Sequence, residues 1–266
     1  MGHDASHFAP VVMNHSLSPA LPPTGGVDPA AIALTDGVGV LWQDLHMALV
    51  LKPSGMLSVP GRGPDKQDCL SARLAQAGLP SMVVHRLDQA TSGLMLFARS
   101  AEMQRQLSHA FAQRQVNKQY LACVAGHLPP SDDWQRIDAP IAADWPRRPL
   151  RIVADSGQSS QTLWRSLGPC IGQTTDGNSA GTWLALRPLS GRTHQLRVHL
   201  QHIGHPIWGD AMYAPPDVRV CTTRLMLHAQ RLAFTHPATG QDLAFEHTPV
   251  GWLNPDMLLR AQDMPW

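Results

Sequence analysis

Apolar residues along this chain fall in short runs punctuated by Gly, Pro and Asp, the rhythm of strands joined by turns. Runs at 40–42 and 47–51 flank the polar Gln43-Asp44 and predict a hairpin whose second strand ends at Lys52, ahead of Pro53-Ser54-Gly55. Runs at 81–84 and 94–98 predict two buried strands on either side of a polar turn. Positions 120–124 and 183–186 predict two more, and 231–235 with 243–245 predict a C-terminal hairpin about His236-Pro237-Ala238-Thr239-Gly240. A helical period shows in three places. Asp68 stands where it would cap a helix running to Ala77, and Ser100 where it would cap one reaching Gln113 with Met103, Leu107, Ala110 and Phe111 on one face. After Ser190-Gly191 a third helix is expected over 193–203, burying Leu196, Leu200 and Ile203 and stopping at Gly204 and Pro206. Strands outnumber helices and their connections are hairpin-like. The predicted class is therefore α+β, a mixed, mostly antiparallel central sheet flanked by helices and loops.

Composition acts mainly by exclusion. A length of 266 residues suits one larger domain, expected over 36–266. Residues 1–35, rich in Pro, Ala, Gly and His, read as a mobile N-terminal extension, and the polar stretch 173–181 reads as a loop tip. The formal charge of +1 lacks the strongly basic balance of many nucleic-acid binders. Lys52, Lys66 and Lys118 are the only lysines, however, so most cationic chemistry falls to arginine, whose planar fork suits phosphate. Cys69, Cys123, Cys170 and Cys221 are too scattered for a zinc knuckle or a disulfide framework, which fits a reducing cytoplasm. No apolar run approaches the roughly 20 residues of a membrane span.

The candidate chemistry sits in the turn Val84-His85-Arg86-Leu87-Asp88-Gln89-Ala90-Thr91-Ser92-Gly93. It holds one carboxylate, Asp88, just after two potential cations, His85 and Arg86, and a nearby positive charge favours the ionised acid, the nucleophilic form. His85-Arg86-Leu87-Asp88 followed by Thr91-Ser92-Gly93 resembles the signature of the RluA family of pseudouridine synthases. Three more stretches resemble that family in the same order: Lys52-Pro53-Ser54-Gly55-Met56-Leu57-Ser58-Val59-Pro60-Gly61, Asn117-Lys118-Gln119-Tyr120-Leu121-Ala122, and Gly191-Arg192-Thr193-His194-Gln195-Leu196-Arg197-Val198-His199. Leu51 departs from the pattern, since relatives usually place Asn before the Lys-Pro pair.

The resemblance implies the pseudouridine synthase fold and the isomerisation of uridine in structured RNA. That reaction cuts a glycosidic bond, turns the base and rejoins it through carbon, with no redox or hydrolytic step, so no cofactor and no metal are expected. The resemblance makes Asp88 the nucleophile, Arg197 its ion-pair partner and Tyr120 the ring against the target uracil, while Arg86 fills the space left by the extruded base. Lys52, Arg62, Lys118, Arg147, Arg148 and Arg192 are the candidate RNA contacts. The proline-stiffened loop Ala143-Asp144-Trp145-Pro146-Arg147-Arg148-Pro149-Leu150-Arg151, with Val59-Pro60-Gly61-Arg62, resembles the subgroup acting on both the tRNA anticodon stem-loop and large-subunit 23S rRNA. The expected partner is thus RNA, tRNA and/or 23S rRNA, with no membrane, no obligatory protein partner and a monomeric state.

Two other readings compete. His194, His199, His202 and His205 crowd one segment and suggest a metal-dependent hydrolase, although no His-Glu-x-x-His arrangement follows. An inactive relative that only binds RNA would have no need to keep Asp88, Tyr120 and Arg197 together.

Overall fold

The computed structural model describes residues 11–12, 38–79, 81–170 and 180–262. In chain order its elements are β1 (Val11–Val12), β2 (Gly39–Gln43), β3 (Met47–Lys52), α1 (Leu70–Gln76), β4 (Met82–Val83), β5 (Ser92–Ala98), α2 (Ala101–Ala112), β6 (Asn117–Ala125), β7 (Gln135–Asp138), β8 (Ile141–Ala143), β9 (Arg151–Val153), β10 (Gln161–Cys170), β11 (Gly181–Pro188), α3 (Gln195–His202), α4 (Pro216–Arg219), β12 (Leu227–Thr235), β13 (Asp242–Glu246) and α5 (Pro255–Gln262). Apart from β1, the expected extension over 1–35 lies outside the described residues, as does most of the expected loop tip at 173–181. The chain divides into two compact units. Of the described residues, those up to 87, with 93–118 and 230–247, form the first; 88–92, those within 119–229 and those from 248 onward form the second.

In the first unit Asp44 makes the hairpin predicted at its start. Its Oδ1 accepts the N–H groups of His46 and Met47, each at 2.7 Å, which closes the turn between β2 and β3. The β2–β3, β3–β5, β4–β5 and β12–β13 pairs are antiparallel, and β1 joins β13 in parallel register. Met47, Leu49, Leu94, Leu96 and Phe234 bury one core with Met103 and Leu107 of α2. Ser100 caps that helix as expected, accepting the Met103 N–H at 3.2 Å.

Two expectations in this unit are corrected. The run at 81–84 is no buried strand: only β4 pairs, against Ala98 and Phe97 of β5, and Met82 is 37 % exposed. Asp68 does not cap α1, because its carboxylate takes a fork of two 2.7 Å bonds from Arg73; Cys69 occupies the N-cap position.

The second unit is a sheet in the order β6, β11, β10, β7, antiparallel throughout, with a separate β8–β9 hairpin. Leu121, Leu184, Leu196, Leu200 and Trp208 are among its core residues. The third predicted helix begins two residues late, because His194 sits in the left-handed region with φ 57° and ψ 17° and only Gln195 starts the helical turn. Nor does α3 show one buried stripe: Gln195, Leu196, Arg197, Val198, His199 and Leu200 are all buried. Among the described residues no helix is long and apolar enough to cross a membrane.

Candidate active site

Asp88 opens the second unit's first segment, where the Thr91 N–H bonds back to the Asp88 carbonyl at 3.1 Å and tightens the turn. Ser92 anchors its far end, its Oγ lying 2.7 Å from His228 Nδ1 and accepting from Arg224 Nη2 at 2.5 Å. The carboxylate is thereby held with a side chain 27 % exposed. Arg197 reaches it from the third turn-forming position of α3, with Nη1 at 3.4 Å from Asp88 Oδ2.

The guanidinium is fixed from behind by a second acid. Arg197 Nε and Nη2 donate to Asp210 Oδ2 and Oδ1 at 2.8 and 2.6 Å, a bidentate pair whose carboxylate is wholly buried. Asp210 Oδ1 also accepts the N–H groups of Met212 and Tyr213 at 2.9 and 3.1 Å, so the acid is set by its own turn. Gly209, at φ 73°, permits that turn: a Cβ there would meet the Arg224 carbonyl oxygen at 2.0 Å. Burial works against the Arg197 cation, but the Asp210 hydrogen bonds and the charges of Asp210 and Asp88 outweigh it and raise its pKa. One arginine therefore carries two carboxylates in unlike settings, Asp210 sealed and Asp88 partly exposed.

Two more groups lie within electrostatic reach of Asp88. The Nε2 of His194 lies 3.9 Å from Asp88 Oδ2, and burial lowers that imidazole's pKa although the Asp88 charge opposes the shift. The Tyr120 phenol on β6 is pushed far above its ordinary range, by burial first and then by the Asp88 charge, so it stays a neutral phenol. A cavity of about 550 Å³ in the same unit is lined by Trp145, Arg151, Gln158, Arg192 and Thr193 among others. On its rim Trp145 is 68 % exposed, with the Arg148 guanidinium stacked 3.4 Å from its ring centroid.

A family model described as RNA pseudouridylate synthase matches residues 46–202. The chain belongs to that family. It is 43 % identical over 208 residues to the dual-specificity RNA pseudouridine synthase RluA of Yersinia pestis, covering 78 % of this chain and 97 % of the relative. The same-named protein of Escherichia coli (strain K12) is 40 % identical over 208 residues, covering 78 % and 91 %. Among solved structures, human RNA pseudouridylate synthase domain containing 1 superposes with a TM-score of 0.67 at 25 % identity, covering 80 % of this chain and 84 % of that one. The fold is that of the pseudouridylate synthases, and the chain is an RluA-type isomerase that forms pseudouridine in RNA.

The candidate site differs in places from the sequence reading. Asp88, Tyr120 and Arg197 fall in the second unit and interact as a group. Arg197 is no solvated helix residue, being 3 % exposed. Arg148 and Arg192 are exposed beside the cavity, whereas Arg147 is tied to Asp144 through its Nε at 2.7 Å. Arg86 and Arg62 are exposed in the first unit, where Lys118 is half-buried.

Lys52 is a correction: it is fully buried, its ammonium donating to the carbonyls of Pro53 and Met56 at 2.9 and 2.6 Å, so it shapes the loop at 53–56 rather than presenting a charge to RNA. His85 is another. Its ring stacks on Phe111, centroids 4.4 Å apart, and accepts the Leu96 N–H at 2.9 Å. Burial, with the Lys118 charge second, pushes its pKa down to about 3, so it is neutral and supplies no cation.

A pH dependence follows. An unfolded histidine titrates near 6.5, so between pH 6.5 and 3 the unfolded chain binds a proton that folded His85 refuses. Stability should fall as pH drops through that window, by up to about 1.4 kcal/mol per pH unit from this group. Urea denaturation at several pH values is expected to show a shallower acid slope for His85→Gln, and an unchanged slope would refute the assignment.

Two of the four crowded histidines are held by other partners. His199 uses both ring nitrogens, Nδ1 at 2.8 Å from Thr162 Oγ1 and Nε2 at 3.0 Å from the Ala139 carbonyl, and His205 Nδ1 bonds the Ala125 carbonyl at 2.9 Å. Among the described residues no group of three or more His, Cys, Asp or Glu is placed to hold a metal ion. Sequence reasoning missed Asp210 and Tyr213. Gly209-Asp210-Ala211-Met212-Tyr213, just past the predicted helix stop, was the available signal, an acid and a phenol after a turn glycine.

Proposed function

We propose that Asp88 is the carboxylate that acts on the target uridine. The observation carrying this reading is the Arg197 guanidinium, locked on Asp210 through Nε and Nη2 and turning its third nitrogen, Nη1, to Asp88 at 3.4 Å. That contact aims the Asp88 carboxylate from a guanidinium whose own orientation is fixed by Asp210. Tyr120 lies against the uracil as a neutral phenol, and stacking of a ring on an extruded base contributes about 1–3 kcal/mol. Attack at the ribose, attack on the ring, and stabilisation of charge while a glycal forms all use the same carboxylate.

Arg86 occupies the gap left by the extruded base, and Arg62, Lys118, Arg147, Arg148 and Arg192 contact the RNA. The exposed Trp145 with Arg148 stacked on it supports the 144–150 loop as a wedge and phosphate grip. The substrates are a tRNA anticodon stem-loop and 23S rRNA, the two RNA types suggested by the loops at 59–62 and 143–151 and consistent with the dual-specificity relatives. The enzyme acts as a cytoplasmic monomer. Mapping pseudouridine across total RNA from cells with and without the gene tests the substrate pair: one anticodon-loop site and one 23S site should disappear together. Loss at only one of them would reduce the assignment to single specificity.

A further inference from the structure

Tyr213 connects the active-site acid to the cavity. Its Oη accepts the Arg151 N–H at 2.9 Å and lies 2.6 Å from His194 Nδ1. A phenol has one hydrogen to give, and directing it at Nδ1 satisfies both neighbours. The proton of the neutral imidazole then resides on Nε2, the nitrogen 3.9 Å from Asp88 Oδ2. The opposite tautomer would aim two donors at the Tyr213 oxygen and turn a lone pair toward the carboxylate. At 3.9 Å the Nε2–H is long for a hydrogen bond, and the contact counts as one only if it tightens around a reactant.

The backbone gives a second, independent sign. His194 holds φ 57°, which Gly or Asn adopts more readily, and it stands at the N-cap of α3 with no side-chain capping bond. The imidazole is therefore kept where neither backbone nor helix end favours it, the pattern of a residue retained for its side chain.

We propose that the Arg151–Tyr213–His194 chain of hydrogen bonds is a positioning device, in which His194 Nε2–H serves as a second donor to Asp88 beside Arg197 Nη1. Because Arg151 also lines the cavity beside Trp145 and Arg192, the device starts where RNA is gripped and ends at the reacting acid. The inference rests on Asp88 being that acid.

Single-turnover rates on RNA from cells lacking the gene, labelled with tritium at uridine C5, test it for His194→Asn, His194→Gln, Tyr213→Phe and Asp88→Asn. His194→Asn should melt at or above the wild-type temperature, bind RNA unchanged and react at least about tenfold more slowly, since it relieves the backbone but cannot reach Asp88. His194→Gln, whose amide N–H stands where Nε2–H stood, should recover most of that rate. Tyr213→Phe should slow the step severalfold without changing RNA affinity. A wild-type rate for His194→Asn, or equal slowing of the Asn and Gln variants together with a lowered melting temperature, overturns the device while leaving the Asp88 assignment intact. Turnover by Asp88→Asn would instead overturn the assignment beneath it.

Discussion

Asp88→Asn is expected to remove pseudouridine formation, by about four orders of magnitude or more, while the protein folds and binds RNA as before. The amide is nearly isosteric, but it has no anionic oxygen with which to attack carbon or stabilise a cationic sugar. The side chain is 27 % exposed and its contact with Arg197 is a single one at 3.4 Å, so losing it should cost about 1 kcal/mol of stability or less. RNA affinity should hold or rise slightly, since a negative charge leaves a surface that meets phosphates. Filter binding and urea denaturation check those two parts. Binding weakened as much as turnover would mean that Asp88 grips RNA rather than reacting with it.

Asp210→Ala should be the most destabilising single change at the site. It leaves the Arg197 cation buried without its bidentate partner and removes the acceptor of the Met212 and Tyr213 N–H groups. Breaking one side of a buried pair typically costs about 3–5 kcal/mol, which for a chain of this size corresponds to roughly 10 °C in melting temperature. Activity should fall as well, because a guanidinium freed from Asp210 no longer holds a fixed angle to Asp88. Asp210→Asn keeps an acceptor for the two N–H groups and should lose less. Thermal denaturation decides the point, and a shift under about 2 °C would show that the pair contributes little.

The parts of the molecule visible in the sequence are those whose cause is local. The hairpin at Asp44, the Ser100 cap and the C-terminal hairpin follow from turn chemistry and period within a few residues. Asp88, Tyr120 and Arg197 were reached through motif order, since no local pattern says that residues 109 positions apart share an ion pair. What stayed hidden depends on contacts distant in sequence. The strands β7 to β10 were not anticipated: β7 has one buried residue in four, and neither β8 nor β9 is long enough to display alternation. Lys52 and His85 look like free cations in the sequence, and become a buried loop clamp and a neutral stacked ring only once β3, β5 and α2 enclose them. Asp210 was overlooked because a turn acid without a motif carries no mark of the arginine it will meet.

The central claim is that of the two acids held by Arg197, the half-open Asp88 reacts and the sealed Asp210 supports. With enzyme in excess over RNA tritiated at uridine C5, release of tritium to water measures the reaction in a single pass. Asp88→Asn should release none above background, and Asp210→Asn, assayed below its melting temperature, should release a slowed but measurable amount. Release by Asp88→Asn at a rate equal to or above that of Asp210→Asn would contradict the claim.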